Sequence, residues 1–293
     1  MKKAFIQLHI SILIAGTTGL FGRLVSLNEG LLVWYRMFFA AILLYIVLWF
    51  SHRLEKTTWR EILKIAGAGL LLGSHWVFFF GSIKASNISV GVVCFSLVGF
   101  FTAFFEPLIN RHRISVREVL FSLLTLAGIL LIFHFDTHFR LGIGMGIISS
   151  ALAALFTITN KRVGVRHQAS TMLLYEMIGG CIWLTCCMPV YLHFFPVESV
   201  LPVASDLLYL LLLASVCTIG LYLLQIIVLQ TVSAFTVNLS YNLEPVYSII
   251  LAILFFGEAK ELNTAFYTGL SIIILSVVMQ TLCVVRERKG GLD

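Results

Sequence analysis

Almost wholly apolar stretches, each about 20 residues long, follow one another along this chain with little between them. They fall approximately at 4–25, 31–50, 62–83, 88–109, 117–135, 141–160, 170–191, 207–230, 233–256 and 264–285. A helix of about 20 residues crosses a ~30 Å hydrocarbon core, and lipid leaves the backbone no open alternative to the helix. The pattern therefore predicts an all-α integral membrane protein with ten transmembrane helices. Only 12% of the 293 residues are charged and the mean hydropathy is +1.00, where a soluble domain would carry about a quarter charged residues. The longest linkers, 51–61 and 196–206, cannot build a soluble domain. Any function must reside in the bundle.

The opening lysines imitate a signal peptide, but the apolar part that follows is long and interrupted, and no small-x-small cleavage site ends it. It reads as the first helix. The six cysteines show no CxxC or Cys/His ligand spacing and read as small core residues.

The net charge of +6 is explained by its distribution, with no need of a nucleic-acid partner. On one side of the expected topology lie Lys2, Lys3, Arg53, Lys56, Arg60 and Lys64, then Arg111, Arg113, Arg117, Lys161, Arg162 and Arg166, and finally Arg286, Arg288 and Lys289. The other side carries only Arg23, Lys84, Arg140 and Lys260. The positive-inside rule then predicts both termini in the cytoplasm, and the expected location is a bacterial-type inner membrane.

Features recur about half a chain apart. GLFGRLV at 19–25 parallels FTITNKRVG at 156–164, Arg36 early in helix 2 parallels Glu176 early in helix 7, and KASNISVG parallels QTVSAFTV. Five spans per copy is an odd number, so residues 1–138 and 139–293 are expected to be inverted repeats around a central cavity. Such repeats place a substrate site near the midplane and work by alternating access.

The chain here resembles the drug/metabolite transporter superfamily, specifically its EamA-type ten-helix members. The resemblance rests on the two five-helix units, on Arg36 followed by Phe38, Phe39 and Ala40, on the SIKASN and LQTVSA hinges, and on LEPVYSIILAILFFGE ending in Gly257-Glu258. The first half has INRHRIS at 109–115 in place of the Gly-Glu. The resemblance implies a secondary active or facilitative transporter of small metabolites such as amino acids, often an exporter.

An ionisable group inside a bilayer is costly and faces a cavity or a partner. At 1.5 Å per residue Glu244 lies ~16 Å into its span, near the midplane, and His75 reaches a similar depth. Arg36 and Glu176 lie about five and six residues deep from opposite sides, too far apart along the membrane normal to pair directly. Glu244, His75 and Arg36, with Tyr241, Asn242, Trp76 and Glu176, are the candidate substrate contacts. For Glu244 the alternative is structural: an ion pair with Arg36 or a hydrogen bond to His75. Pro245 removes a backbone donor and should bend its helix over a cavity. Glu106 and Pro107, near the cytoplasmic end of helix 4, are expected to pair with Arg111 or Arg113 or to form a cytoplasmic gate.

Ser11, Ala15 and Gly19, and likewise Gly142, Gly146, Ser150 and Ala154, lie four residues apart and make faces suited to close helix approach. A carboxylate at the depth of Glu244 is also where proton coupling would act. His134, Asp136 and His138 are read as interfacial and not as a metal site. No Walker motif, phosphate-cradling loop or nucleophile triad is visible, so no cofactor and no enzyme activity are expected. The competing class, an intramembrane enzyme acting on a lipid-linked or small amphipathic substrate, would cluster its acids and histidines at one interface, whereas here they are spread over depths. Substrate and direction stay open, as does oligomeric state.

Overall fold

In a computed structural model, residues 2–111, 113, 116–134, 139–164, 167–241, 243–260 and 262–290 are described, and among them there is no strand. The first helices are α1 (Lys2–Leu24), α2 (Glu29–Phe50), α3 (Trp59–Ala85), α4 (Ile88–Phe95), α5 (Val98–Asn110) and α6 (Val116–His134). They are followed by α7 (Arg140–Gly164), α8 (Ala169–Phe194), α9 (Ala204–Ala214), α10 (Leu221–Leu229), α11 (Ala234–Tyr241), α12 (Glu244–Phe256) and α13 (Thr264–Gly290). A π-helical turn, Ser215–Gly220, joins α9 to α10. Seven stretches among the described residues are long and apolar enough to cross a bilayer, with α4–α5 and α9–α10 each acting as one. Shorter apolar helices at Val119–Leu131, Glu244–Phe256 and Thr264–Ser276 fall where the sequence predicts the other crossings. The molecule is an all-helical, multi-pass membrane protein.

Helix ends follow local chemistry. Asn28 accepts the Leu31 amide at 2.9 Å, Asn87 accepts that of Val90 at 2.9 Å and Asn263 accepts that of Phe266 at 2.8 Å, each satisfying a donor that the first helical turn leaves open. At the start of α3, Thr58 donates from its amide and hydroxyl to Glu61, so this end is closed by the N3 acid reaching back.

Two segments are broken in the same way. α4 and α11 each have eight residues, α5 and α12 each have thirteen, and the described residues between them, Ser96 and Leu97 in one segment and Leu243 in the other, lie outside both helices. Both segments end on a residue with positive φ, Arg111 at 56° and Gly257 at 68°. Element for element the offset is 146 residues, from Ile88 to Ala234 and from Val98 to Glu244. The bend expected at Pro245 is in fact this interruption. Pro245 sits in the first turn of α12, where its missing N–H costs nothing. α4 packs on α12 and α5 on α11, so the two broken segments run antiparallel.

Small residues set the closest helix approaches. A Cβ on Gly146 would lie 2.4 Å from Cys94 Cβ, and one on Gly142 would lie 2.9 Å from the Ser82 carbonyl, so the small face of α7 is a tight contact with α3 and α4. α3 and α8 meet through Gly69, Gly179 and Gly180, and a Cβ on Gly69 would fall 2.0 Å from the Glu176 carbonyl oxygen. That neighbour is backbone and cannot rotate away. Gly69→Ala is expected to cost ~1–3 kcal/mol through overpacking, whereas Gly67→Ala, with nothing within 4 Å, should stay within about 0.5 kcal/mol. Thermal unfolding of the two variants in detergent checks this, and equal midpoints would contradict the packing.

Candidate functional site

The centre of the bundle holds a chamber of about 40 Å³, lined by side chains from α1, α2, α3, α4, α7, α10, α11 and α12. A water needs ~10–15 Å³ of such space, so the chamber has room for a few waters only. Its wall carries Arg36, His75, Trp76, Tyr222, Tyr241 and Glu244.

Arg36 is 1% exposed. Its Nε donates to Thr218 Oγ1 at 2.7 Å and its Nη2 to the Cys217 carbonyl at 2.8 Å. Both partners lie in the π-helical turn, where the regular i to i−4 ladder is interrupted and a carbonyl can face sideways. Thr218 in turn donates to the Leu213 carbonyl at 2.7 Å. The guanidinium lies over the Trp76 ring, 3.7 Å from its centroid, a cation–π contact made stronger by the lack of water. Trp76 Nε1 donates to Tyr222 Oη at 2.9 Å. One arginine thus ties α2 to α3 and to the α9–α10 span.

His75 faces Ser149 of α7. Its Nδ1 is 3.0 Å from the Ser149 carbonyl and 2.8 Å from Ser149 Oγ, and that hydroxyl is 3.2 Å from the His75 carbonyl. A carbonyl can only accept, so the assignment satisfying every atom puts the proton on Nδ1 and leaves Nε2 as the acceptor. Tyr241 donates to Ser11 Oγ at 3.1 Å. Glu244, 4% exposed, opens α12, and a helix amino end favours a carboxylate. Neither structural alternative for Glu244 is found: among the described residues no side chain hydrogen-bonds its carboxylate, and neither Arg36 nor His75 pairs with it directly.

Among the described residues, three buried polar atoms on this wall have no hydrogen-bond partner: Arg36 Nη1, Thr18 Oγ1 and Gln225 Oε1. Buried polar groups are almost always satisfied. A donor, an acceptor and a hydroxyl left open around one chamber make a site that a polar solute can complete.

The family pattern described as the EamA-like transporter family matches residues 2–134 and again residues 140–281. The chain belongs to the EamA-like transporter family. That family is part of the drug/metabolite transporter superfamily. A relative, the uncharacterized transporter YxxF of Bacillus subtilis (strain 168), is 24% identical over 298 residues, covering 98% of this chain and 92% of its own. A solved crystal structure superposes with a TM-score of 0.67 at 17% identity, covering 98% of this chain and 99% of the other, a likeness of fold.

In this EamA-like chain the structure brings Arg36, His75, Trp76, Tyr241 and Glu244 to one chamber. It does not bring Glu176 there: Glu176 is wholly buried between α7 and α8, where Asn160 Nδ2 donates to it at 2.6 Å. Asn242 lies outside the described residues, as do Asp136 and His138. Glu106 accepts the Phe235 amide at 3.1 Å, and Pro107 is buried within α5. Sequence reasoning missed Thr218 and Gln225. The one available signal was their polarity inside the apolar run 207–230.

The Arg36 anchor makes a stability prediction. Thr218→Val keeps the side-chain shape but leaves a charged donor unpaired, and should cost ~1.5–3 kcal/mol. Ser215→Ala, in the same turn but exposed, should stay within about 0.5 kcal/mol. Thermal melts of both variants in one detergent check the difference.

Proposed function

We propose that this chain is a secondary carrier that moves a small zwitterionic metabolite, such as an amino acid, by alternating access, and that it works as an exporter. The observation that carries the reading is the central chamber itself. Among the described residues, a guanidinium with an open Nη1 and a carboxylate that no side chain hydrogen-bonds share one chamber with Trp76 and Tyr222. A solute carboxylate would take Arg36 and a solute amine Glu244, while its apolar part would lie on the aromatic wall. At about 40 Å³ the chamber is too small for such a solute, so entry requires the walls to separate. The structure then corresponds to a closed stage of the cycle.

Two inverted five-helix halves, 1–138 and 139–293, supply the motion in this reading. The 146-residue offset of the two broken segments and the two family matches support the repeat. Helix neighbours support it too: α3 packs on α7 and α1 on α10, α3 on α8 and α2 on α9, α5 on α7 and α1 on α12. Each member of these pairs is its counterpart's mate in the other half. The basic face, with both termini, is cytoplasmic in a bacterial inner membrane by the positive-inside rule. Glu244 is the proton site where transport is coupled to a gradient.

A ligand-stability screen of purified protein across amino acids, amines, carboxylates and nucleotide sugars tests the binding reading. Zwitterions should raise the melting temperature of the wild type and lose that effect in Glu244→Gln and Arg36→Gln; a shift retained in both variants would move the site elsewhere. In proteoliposomes, Glu244→Gln should abolish any dependence of flux on a pH gradient while sparing exchange. Unchanged coupling would remove Glu244 as the proton site.

A further inference from the structure

The amino ends of α4 and α11 point to opposite faces of the bundle, because the broken segments that they begin run antiparallel. Such an end leaves backbone N–H groups without intrahelical partners. In both cases a carboxylate from the other half of the chain takes them. Glu258, wholly buried just beyond α12, accepts the amides of Ile88 at 3.1 Å and Ser89 at 3.0 Å and the Ser89 hydroxyl at 2.6 Å. Arg23, at the end of α1, pairs with the same carboxylate at 2.5 Å. At the other face Glu106 of α5 accepts the Phe235 amide at 3.1 Å, and Lys161 stands near the end of α7.

The two clusters are counterparts. Phe235 follows Ser89 by the same 146 residues that relate the broken segments, and Lys161 occupies in α7 the place that Arg23 holds in α1. The acid alone is displaced. The position matching Glu258 is His112, so the first half has no acid there, and Glu106, within α5, reaches the corresponding amide instead. A second tie accompanies each cluster. Lys84 donates to the carbonyls of Val25, at 3.2 Å, and Leu27. Gln230, again 146 residues on, donates to those of Gly164 at 3.4 Å and His167 at 3.2 Å. Lys161 also donates to the carbonyls of Leu229 at 3.3 Å and Val232 at 2.5 Å.

We infer that these clusters are the two latches of the carrier: Glu258 with Arg23 and Ser89 holds the chamber shut at one face, and Glu106 with the Phe235 amide, beside the Lys161 tie to Leu229 and Val232, holds it shut at the other. The inference rests on the alternating-access reading. Both latches are closed at once around a chamber of about 40 Å³. Each joins one half of the chain to the other, so a rocking of the halves that opens one face must part the carboxylate on that face from its amides. Parting is tolerable only where water enters to replace the lost bonds, which makes each latch either closed and dry or open and wet. The chamber can then open to one face while the other latch stays dry. A displaced Glu106 preserves the latch in the half that lacks the Gly-Glu motif.

The test reads conformation without substrate. In a cysteine-free full-length chain, Ala153→Cys places a thiol on the chamber wall, and a membrane-impermeant maleimide is applied to spheroplasts and to inverted vesicles. Glu258→Gln is expected to raise labelling by about ten-fold from one face, since bonds to a charged group are lost, and Glu106→Gln to raise it from the opposite face. Ser89→Ala should move labelling the same way as Glu258→Gln by less, and it carries the expectation if Glu258→Gln does not assemble. Labelling unchanged in all three variants, or raised from the same face by Glu258→Gln and Glu106→Gln, overturns the latches. Failure of wild-type flux in proteoliposomes would instead overturn the carrier reading, and the labelling result is independent of it.

Discussion

A guanidinium held at 1% exposure inside a membrane protein must bring its solvation with it, and much of the bundle's centre is arranged to do so. Arg36 receives a hydroxyl and a carbonyl from the π-helical turn at Ser215–Gly220 and the face of Trp76. Both the Cys217 carbonyl and the Thr218 hydroxyl come from that one turn. The irregular turn, the indole orientation and the Trp76–Tyr222 bond therefore belong to one solution of one electrostatic problem. That solution fixes how α2, α3 and the α9–α10 span meet, and it leaves Nη1 without a partner at the chamber wall.

The second constraint is the backbone. Lipid cannot satisfy a broken helix, so breaks survive only where protein surrounds them. The breaks between α4 and α5 and between α11 and α12 sit in antiparallel neighbours, with α4 packed on α12 and α5 on α11. The break before α12 turns a helix amino end toward the chamber with Glu244 in its first turn. The amino ends at the membrane faces receive carboxylates from across the molecule. The same physics that forbids free amides in hydrocarbon thus places the acids.

Much of this was legible in the residues. The apolar runs located the helical stretches, although 88–109, 207–230 and 233–256 each hold two α-helices and not one, and Asn28, Thr58 and Asn87 mark starts that the structure uses as caps. Depth along each span brought Glu244, His75 and Arg36 into consideration together, and the chamber contains all three. Depth alone gave no azimuth. Glu176 looked equivalent to Arg36 by position, yet it turns toward Asn160 of α7 and away from the chamber. The Glu106–Pro107 pair suggested pairing with Arg111 or Arg113 or a cytoplasmic gate, and nothing local announced that its carboxylate also accepts an amide more than a hundred residues further on.

The chain's own residues determined that it lives in lipid, that it is helical throughout and where it is polar, because hydropathy and the ~30 Å span are properties of local sequence. The face each helix turns inward was decided only in the folded molecule. Lipid is as apolar as leucine, so a membrane helix carries no amphipathic stripe to announce its partner. Thr218 is a lone hydroxyl in an apolar run until α2 lies beside it, and Glu258 follows a helix end until Ser89, 169 residues away, offers its amide.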